Sequence, residues 1–369
     1  MYQLNGDDSV QVLHPRPSPI AAAMYTLRDI GADVIVLHGP SGCNFRAARL
    51  LERDGVAVVT SSLDQSAVIF GAEDRLSETL KKAFEAFHPT LIGVIGTCCA
   101  AIIGEDLHRA AANAALPCTV VVVDCNPYHQ DNVDGAIRTL EAAAAAGLVT
   151  MDELERQRAC LLAATKDEHE RGTARAGYLR PEEGDDPVEA ACALQKVLEK
   201  GLPVAVVLNA KKETSLLYAD VVRGVCALHT SSGSASPLTV LANADPAVGL
   251  PLIRSYASAI AGAFARENIA VDGYTGGLDE YALAGKRAAQ ELAAMHRDWG
   301  MVVVCGLPHA VPLPPGTPSI AVATGTRAMS ALRACGYGHV IDEERAHYSV
   351  LGVRDVVRSR FGDHLRTLR

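Results

Sequence analysis

The feature that most constrains the fold is a set of short apolar runs without polar alternation. DVIVLH, VAVVT, LIGVIG and CTVVVVD fall within residues 33–124, and PVAVVLNA, LTVLANA, MVVVCGLP, SIAVATG and HVIDEE within residues 203–344. Strands of this kind are buried on both faces, which is the condition of a parallel sheet covered by helices. The segments between them read as helices. SPIAAAMYTLRDI offers Ser18 as a cap and Pro19 for the first turn. AEDRLSETLKKAFEAF repeats apolar residues at helical spacing. The expected fold class is therefore α/β, with Rossmann-like domains of parallel strands flanked by helices.

Four segments are expected. Residues 1–135 form a first α/β domain, and 136–200 form a helical connection. Residues 201–300 form a second α/β domain, and 301–369 form a third, smaller one. The stretch RPEEGDDP reads as a linker or exposed loop, its carboxylates a solvated surface. No tandem repeat of fixed period is present.

The net charge of −9 argues against a duplex nucleic-acid binder, which needs a basic face. No apolar run reaches the ~18 residues that span a bilayer. The first residues, MYQLNGDDSV, lack the basic and apolar regions of a signal peptide. The expectation is a cytoplasmic protein with no membrane partner.

In that setting the ten cysteines should stay reduced. None forms a C-x-x-C pair, so zinc ribbons, thioredoxin-like sites and bacterial ferredoxin runs are excluded. Three expected strands are each followed by thiols: Cys43 in HGPSGC, Cys98 and Cys99 in GTCCAAIIGED, and Cys125 in VVDCNPY. Ligands of open parallel sheets sit outside the carboxyl ends of the strands, so these thiols share one edge. Cys118, Cys160, Cys192, Cys226, Cys305 and Cys335 lie in apolar or helical settings that suit core packing. A [4Fe–4S] cluster takes four thiolates. Two per chain would complete it in a two-fold dimer, whereas three would suit an intrachain cluster with one other ligand. Spacing does not choose between these.

HGPSGC, SLDQSAVIFGAEDRLSETLKKA and GTCCAAIIGEDL, in this order, resemble the nitrogenase component 1 superfamily. LHPRPSPIAAAMYTLRD, LLERDGVAV, NAKKET, GGLDEYALAG and GLPHAVP extend the resemblance over nearly the whole chain. They are similar to the catalytic, large components of the nickel-sirohydrochlorin a,c-diamide reductive cyclases. The resemblance implies a homodimer with one [4Fe–4S] cluster bridging its subunits, held by Cys43 and Cys98 of each chain, with Cys99 and Cys125 as alternates. It implies a separate homodimeric, ATP-hydrolysing iron protein as electron donor. It also implies a nickel-bearing tetrapyrrole substrate that is reduced and closed into a lactam, in biosynthesis of the nickel coenzyme of methanogenesis. The superfamily's cysteine between these two has no counterpart in TSSLDQSA, which argues against an eight-iron cluster. Arg345 stands where an acid is expected before Ala-His. No G-x-x-x-x-G-K-[ST] loop occurs, so ATP hydrolysis falls to the partner.

Such a substrate has rim carboxylates, which call for arginine forks or lysines. Arg16, Lys211, Lys212 and Arg254 are the candidates. Proton donors need reach and a tuned pKa. Asp279, Glu280 and His309 are the candidates, although Asp279 also suits a helix cap. Two other classes fit the same residues. One is another nitrogenase-like reductase, of a tetrapyrrole ring or a small sulfur compound. The other is a non-catalytic cofactor-assembly scaffold.

Overall fold

A computed structural model describes residues 18–125, 132–174, 179–295, 298–344 and 352–368. Arg16, Arg345 and the segment after Cys125 lie outside them. The chain divides into two compact units, one built from 15–161 with 250–252 and the other from 162–249 with 253–369.

The first unit runs α1 (Pro19–Ile30), β1 (Val34–His38), α2 (Phe45–Arg53), β2 (Ala57–Thr60), α3 (Gln65–Phe70), α4 (Glu73–Phe87), β3 (Leu91–Gly96), α5 (Cys98–Ile103), α6 (Leu107–Ala114), β4 (Thr119–Val123) and α7 (Asn132–Ala145). Ser18 accepts the Ala21 N–H, as the sequence predicts for the cap of α1. The four strands are all parallel, in the order β2-β1-β3-β4. β1 and β3 are buried along their whole length. Leu76, Leu80 and Leu107 cover one face of the sheet beside Ile92 and Val94. On α1, Arg28 reaches Asp54 at 2.7 Å and Asp29 at 2.8 Å, all three side chains buried. Such a paired cluster fixes geometry more than it adds stability.

The second unit continues from α8 (Met151–Glu170), within which the division between units falls. It contains α9 (Pro187–Glu199), β5 (Val204–Asn209), α10 (Ser215–Ser231), β6 (Leu238–Ala242), α11 (Pro251–Arg266) from Ile253 onward, β7 (Gly273–Tyr274), α12 (Tyr281–Ala294) and β8 (Met301–Gly306). A 3-10 turn at Pro308–Ala310, β9 (Ser319–Ala323), α13 (Thr326–Ala334), β10 (His339–Asp342) and α14 (Arg360–Thr367) complete it. All six strands are parallel, in the order β10-β9-β8-β5-β6-β7.

Three features differ from the sequence-based division. β8 pairs directly with β5, so the stretches 201–300 and 301–369 share one sheet. The expected connection over 136–200 divides: α7 packs on α1 and β4, and α9 packs on α14 and α10. The loop 179–186 is not a free linker. Asp185 donates its N–H to the Val340 carbonyl and takes the Val340 N–H on its carboxylate, each at 2.7 Å. Arg333 holds Glu182 and Asp185 from below at 3.1 and 2.6 Å. These carboxylates have partners that the sequence alone does not disclose.

Candidate functional site

Each unit presents the carboxyl ends of its strands at one edge, and the strand order says where a ligand site falls on it. In the first unit the order reverses between β1 and β3, and connections diverge from that point to leave a crevice. The chain leaves β1 through Gly39, which donates to Ser61 Oγ at 3.2 Å. A Cβ on Gly39 would collide with the Thr97 side chain, so this close crossing requires glycine. Gly42, at φ +86°, turns the chain back. Cys43 then donates its N–H to the Pro40 carbonyl, and Asn44 sends its amide to Cys43 Sγ at 3.5 Å. From β3, Thr97 donates both its N–H and its hydroxyl to the His38 carbonyl, each at 3.0 Å. Cys98 follows as the first residue of α5.

Cys43 is half-buried and Cys98 exposed. Burial pushes the Cys43 thiol pKa up, opposed by the Asn44 amide and reinforced by Cys98 and Cys99 nearby. A cation bound at this thiol would oppose that shift. Cys99 turns inward and packs, with Ile103, against Leu63, Ala67 and Ala72. Cys125 follows the outer strand β4, is buried, and lies 3.9 Å from the Pro19 carbonyl. Burial first, then the Asp134 charge, raises its pKa to about 12. The alternates therefore differ from the favoured pair, which flanks the switch point. Among the described residues, no three His, Cys, Asp or Glu side chains gather to hold a metal ion alone. The thiols of Cys43 and Cys98 are of the donor type that an iron–sulfur cluster takes.

In the second unit the switch point lies between β5 and β8. Asn209, the last residue of β5, spans it with its amide on the Leu307 carbonyl at 3.2 Å. Lys211 is exposed after β5, and Lys212 is half-buried 3.9 Å from Glu213. Arg254 is exposed in the first turn of α11, which follows β6. Asp279 is half-buried after β7. It does not cap α12; Glu280 occupies that position. The Glu280 carboxylate takes the Gly277 N–H at 2.9 Å and pairs with Arg287 at 3.3 Å, so it already braces the glycine turn.

His309 sits in the turn after β8, nearly buried. Its Nε2 lies 3.5 Å from Asp167 Oδ2 and 3.3 Å from Glu168 Oε1, near the end of α8. Neither the nitrogen nor Asp167 Oδ2 completes a hydrogen bond. Tyr281 donates its hydroxyl to Glu168 at 3.3 Å and sets its ring edge-on to the imidazole. Burial raises the Asp167 pKa, opposed by His309, Arg171 and Lys286. The sequence reading missed Asp167 and Glu168, because nothing in a polar helix end marks which carboxylates turn inward.

The His309 turn is held from two sides. Tyr337 donates to the Pro308 and Val311 carbonyls at 2.9 and 3.2 Å. Gly285 of α12 lies against it, and an added Cβ would stand 2.5 Å from the Ala310 carbonyl oxygen. Gly285→Ala should therefore lower thermal stability by about 1–3 kcal/mol despite alanine's better helix propensity. An unchanged or raised melting temperature would show that the turn yields freely.

Residues 18–173 match the nitrogenase component 1 type oxidoreductases. Over nearly its full length the chain is similar to component CfbD of the Ni-sirohydrochlorin a,c-diamide reductive cyclase complex. It is 47% identical to the Methanothermobacter thermautotrophicus protein, over 96% of this chain and 98% of that one. It is 41% identical to the Methanocaldococcus jannaschii protein, over 96% and 98%, and 39% identical to the Methanosarcina acetivorans protein, over 97% of each. The fold is thus that of a nitrogenase-like α/β protein. More narrowly, the chain belongs to the CfbD family of reductive cyclase components.

Proposed function

We propose that this chain is the catalytic component of a nitrogenase-like complex that reduces and cyclises nickel-sirohydrochlorin a,c-diamide. The single observation that carries the reading is the near full-length identity of 47% to a component of that complex. The cysteine edge gives it a chemical basis. Cys43 and Cys98 each donate a thiolate to a [4Fe–4S] cluster, and a second copy of the chain donates the other pair. When bound, such a cluster supplies one-electron transfers. Electrons come from an ATP-hydrolysing iron protein, since this chain has no phosphate loop of its own.

Exposed apolar side chains support association at this edge. Phe45 on α2, Ile69 and Phe70 on α3 and Ile102 on α5 are 61%, 73%, 84% and 67% exposed. Apolar surface of that kind on the cysteine-bearing elements suits burial against a partner. In the second unit, Lys211, Lys212 and Arg254 bind substrate carboxylates, with Arg16 a further candidate outside the described residues. His309 is the proton donor best supported by its surroundings, because two carboxylates stand ready to re-protonate or orient it. Asp279 is a second donor candidate. Glu280 is the least suited, being bound to Gly277 and Arg287. No helix among the described residues is long and apolar enough to cross a membrane.

The test is turnover. The chain, its iron protein, ATP, dithionite and nickel-sirohydrochlorin a,c-diamide should together change the visible spectrum of the tetrapyrrole, and omission of ATP or iron protein should stop the change. A tetrapyrrole that binds but keeps its spectrum would mark an assembly scaffold instead.

A further inference from the structure

We propose that His38 and Glu105 form a positioning pair that holds the Cys43 turn and the Cys98 helix at the spacing a bound cluster needs. This rests on the cluster reading above. His38 ends β1, and Glu105 follows α5, so neither is adjacent to a cysteine in sequence. Together they enclose both ligand segments. The His38 carbonyl takes both donors of Thr97, immediately before Cys98. The His38 ring meets Glu105 on the far side of the same helix, with Nε2 3.4 Å from Oε2. One residue thus grips α5 before its first residue and beyond its last, while its own next residue opens the Cys43 turn.

The side chains are 0% and 4% exposed, yet neither imidazole nitrogen nor Glu105 Oε2 completes a hydrogen bond. Glu105 Oε1 is already occupied by the Ala72 N–H at 2.8 Å. Buried polar groups are rarely left unpaired without a reason. At 3.4 Å the two groups are within ion-pair range but off the hydrogen-bond line. A small shift of either segment would close the bond, and a cluster held by Cys43 and Cys98 would fix the spacing of the two segments on which that bond depends. Burial lowers the His38 pKa against the opposing charges of Glu105 and Glu73. Glu73 itself is held by Arg109. The contact acts through segment position, because no direct contact between either residue and a cysteine is needed.

The experiment compares wild type, Glu105→Ala, Glu105→Gln and His38→Leu after anaerobic iron–sulfur reconstitution. Iron loss to a chelator is timed, and the EPR spectrum of the dithionite-reduced protein is recorded. Partners that orient metal ligands are worth about 10- to 100-fold in metal affinity. Glu105→Ala and His38→Leu should each lose iron faster by that factor, with shifted g-values in what remains. Glu105→Gln keeps an oxygen for Ala72 and an amide to reach His38, and should restore retention. Wild-type retention and spectrum in either Glu105→Ala or His38→Leu would overturn the pair while leaving the cluster intact. A wild-type chain that takes up no iron would overturn the cluster reading, and this proposal with it.

Discussion

Replacing Cys43 or Cys98 by alanine should abolish the cluster, while Cys99→Ala should keep it. Reconstituted wild type should carry about four irons per dimer, as one [4Fe–4S] cluster on four thiolates requires. Both favoured cysteines flank the switch point of the first sheet, Cys43 after β1 and Cys98 after β3. Cys99 instead packs against Leu63, Ala67 and Ala72. Removing either ligand from one chain removes two from the dimer by symmetry. The loss should therefore be near total. Iron analysis and the EPR spectrum of the reduced protein give the answer. Retention of the cluster in Cys98→Ala would refute the assignment, and its loss in Cys99→Ala would require Cys99 among the ligands. Cys125→Ala should change neither reading, because its thiol is buried beyond the switch point with its pKa raised to about 12.

The second large effect should come from His309. His309→Gln should lower turnover by about 10²- to 10⁴-fold, the usual worth of a positioned general acid, without loss of iron. Asp167, 3.5 Å from His309 Nε2, should separate stability from activity. Its pKa is raised in the folded chain, mainly by burial. The folded state therefore holds a proton that the unfolded state releases above about pH 4. As pH rises from there through the folded pKa, this group costs the folded state stability, and above that pKa the cost is constant. Asp167→Asn removes the cost. It should raise the melting temperature at pH 7 more than at pH 3, while shifting the pH profile of turnover. A variant less stable than wild type at pH 7 would show that the ionised Asp167–His309 pair is favourable after all.

How much of this was legible beforehand depended on whether a property was local. β1, β3, β5 and β8 were readable because a strand buried on both faces must be apolar throughout. β7 was not, since Gly273 and Tyr274 form a strand only by pairing with Leu241 and Ala242. The shared edge of Cys43 and Cys98 followed from the alternation of strands and helices. Their position at a switch point did not, because strand order is a property of pairing across the sheet. The alanine-rich α7 reads as a helix from its composition. That it covers α1 becomes visible only at Gly135, where a Cβ would strike the Pro19 backbone. Asp167 shows the same limit at the second site. Its chemistry depends on burial beside a residue more than a hundred positions away.

The strap of residues 182–185 along β10 bears on assembly. An outer strand offers unpaired amides and carbonyls to any passing chain, and proteins guard such edges. Here Asp185 occupies both polar groups of Val340, and Arg333 clamps two carboxylates beside it. That border of the six-stranded sheet is closed to strand addition. Self-association by this route would need the strap to peel away first. Pairing of two copies through this border is thereby disfavoured.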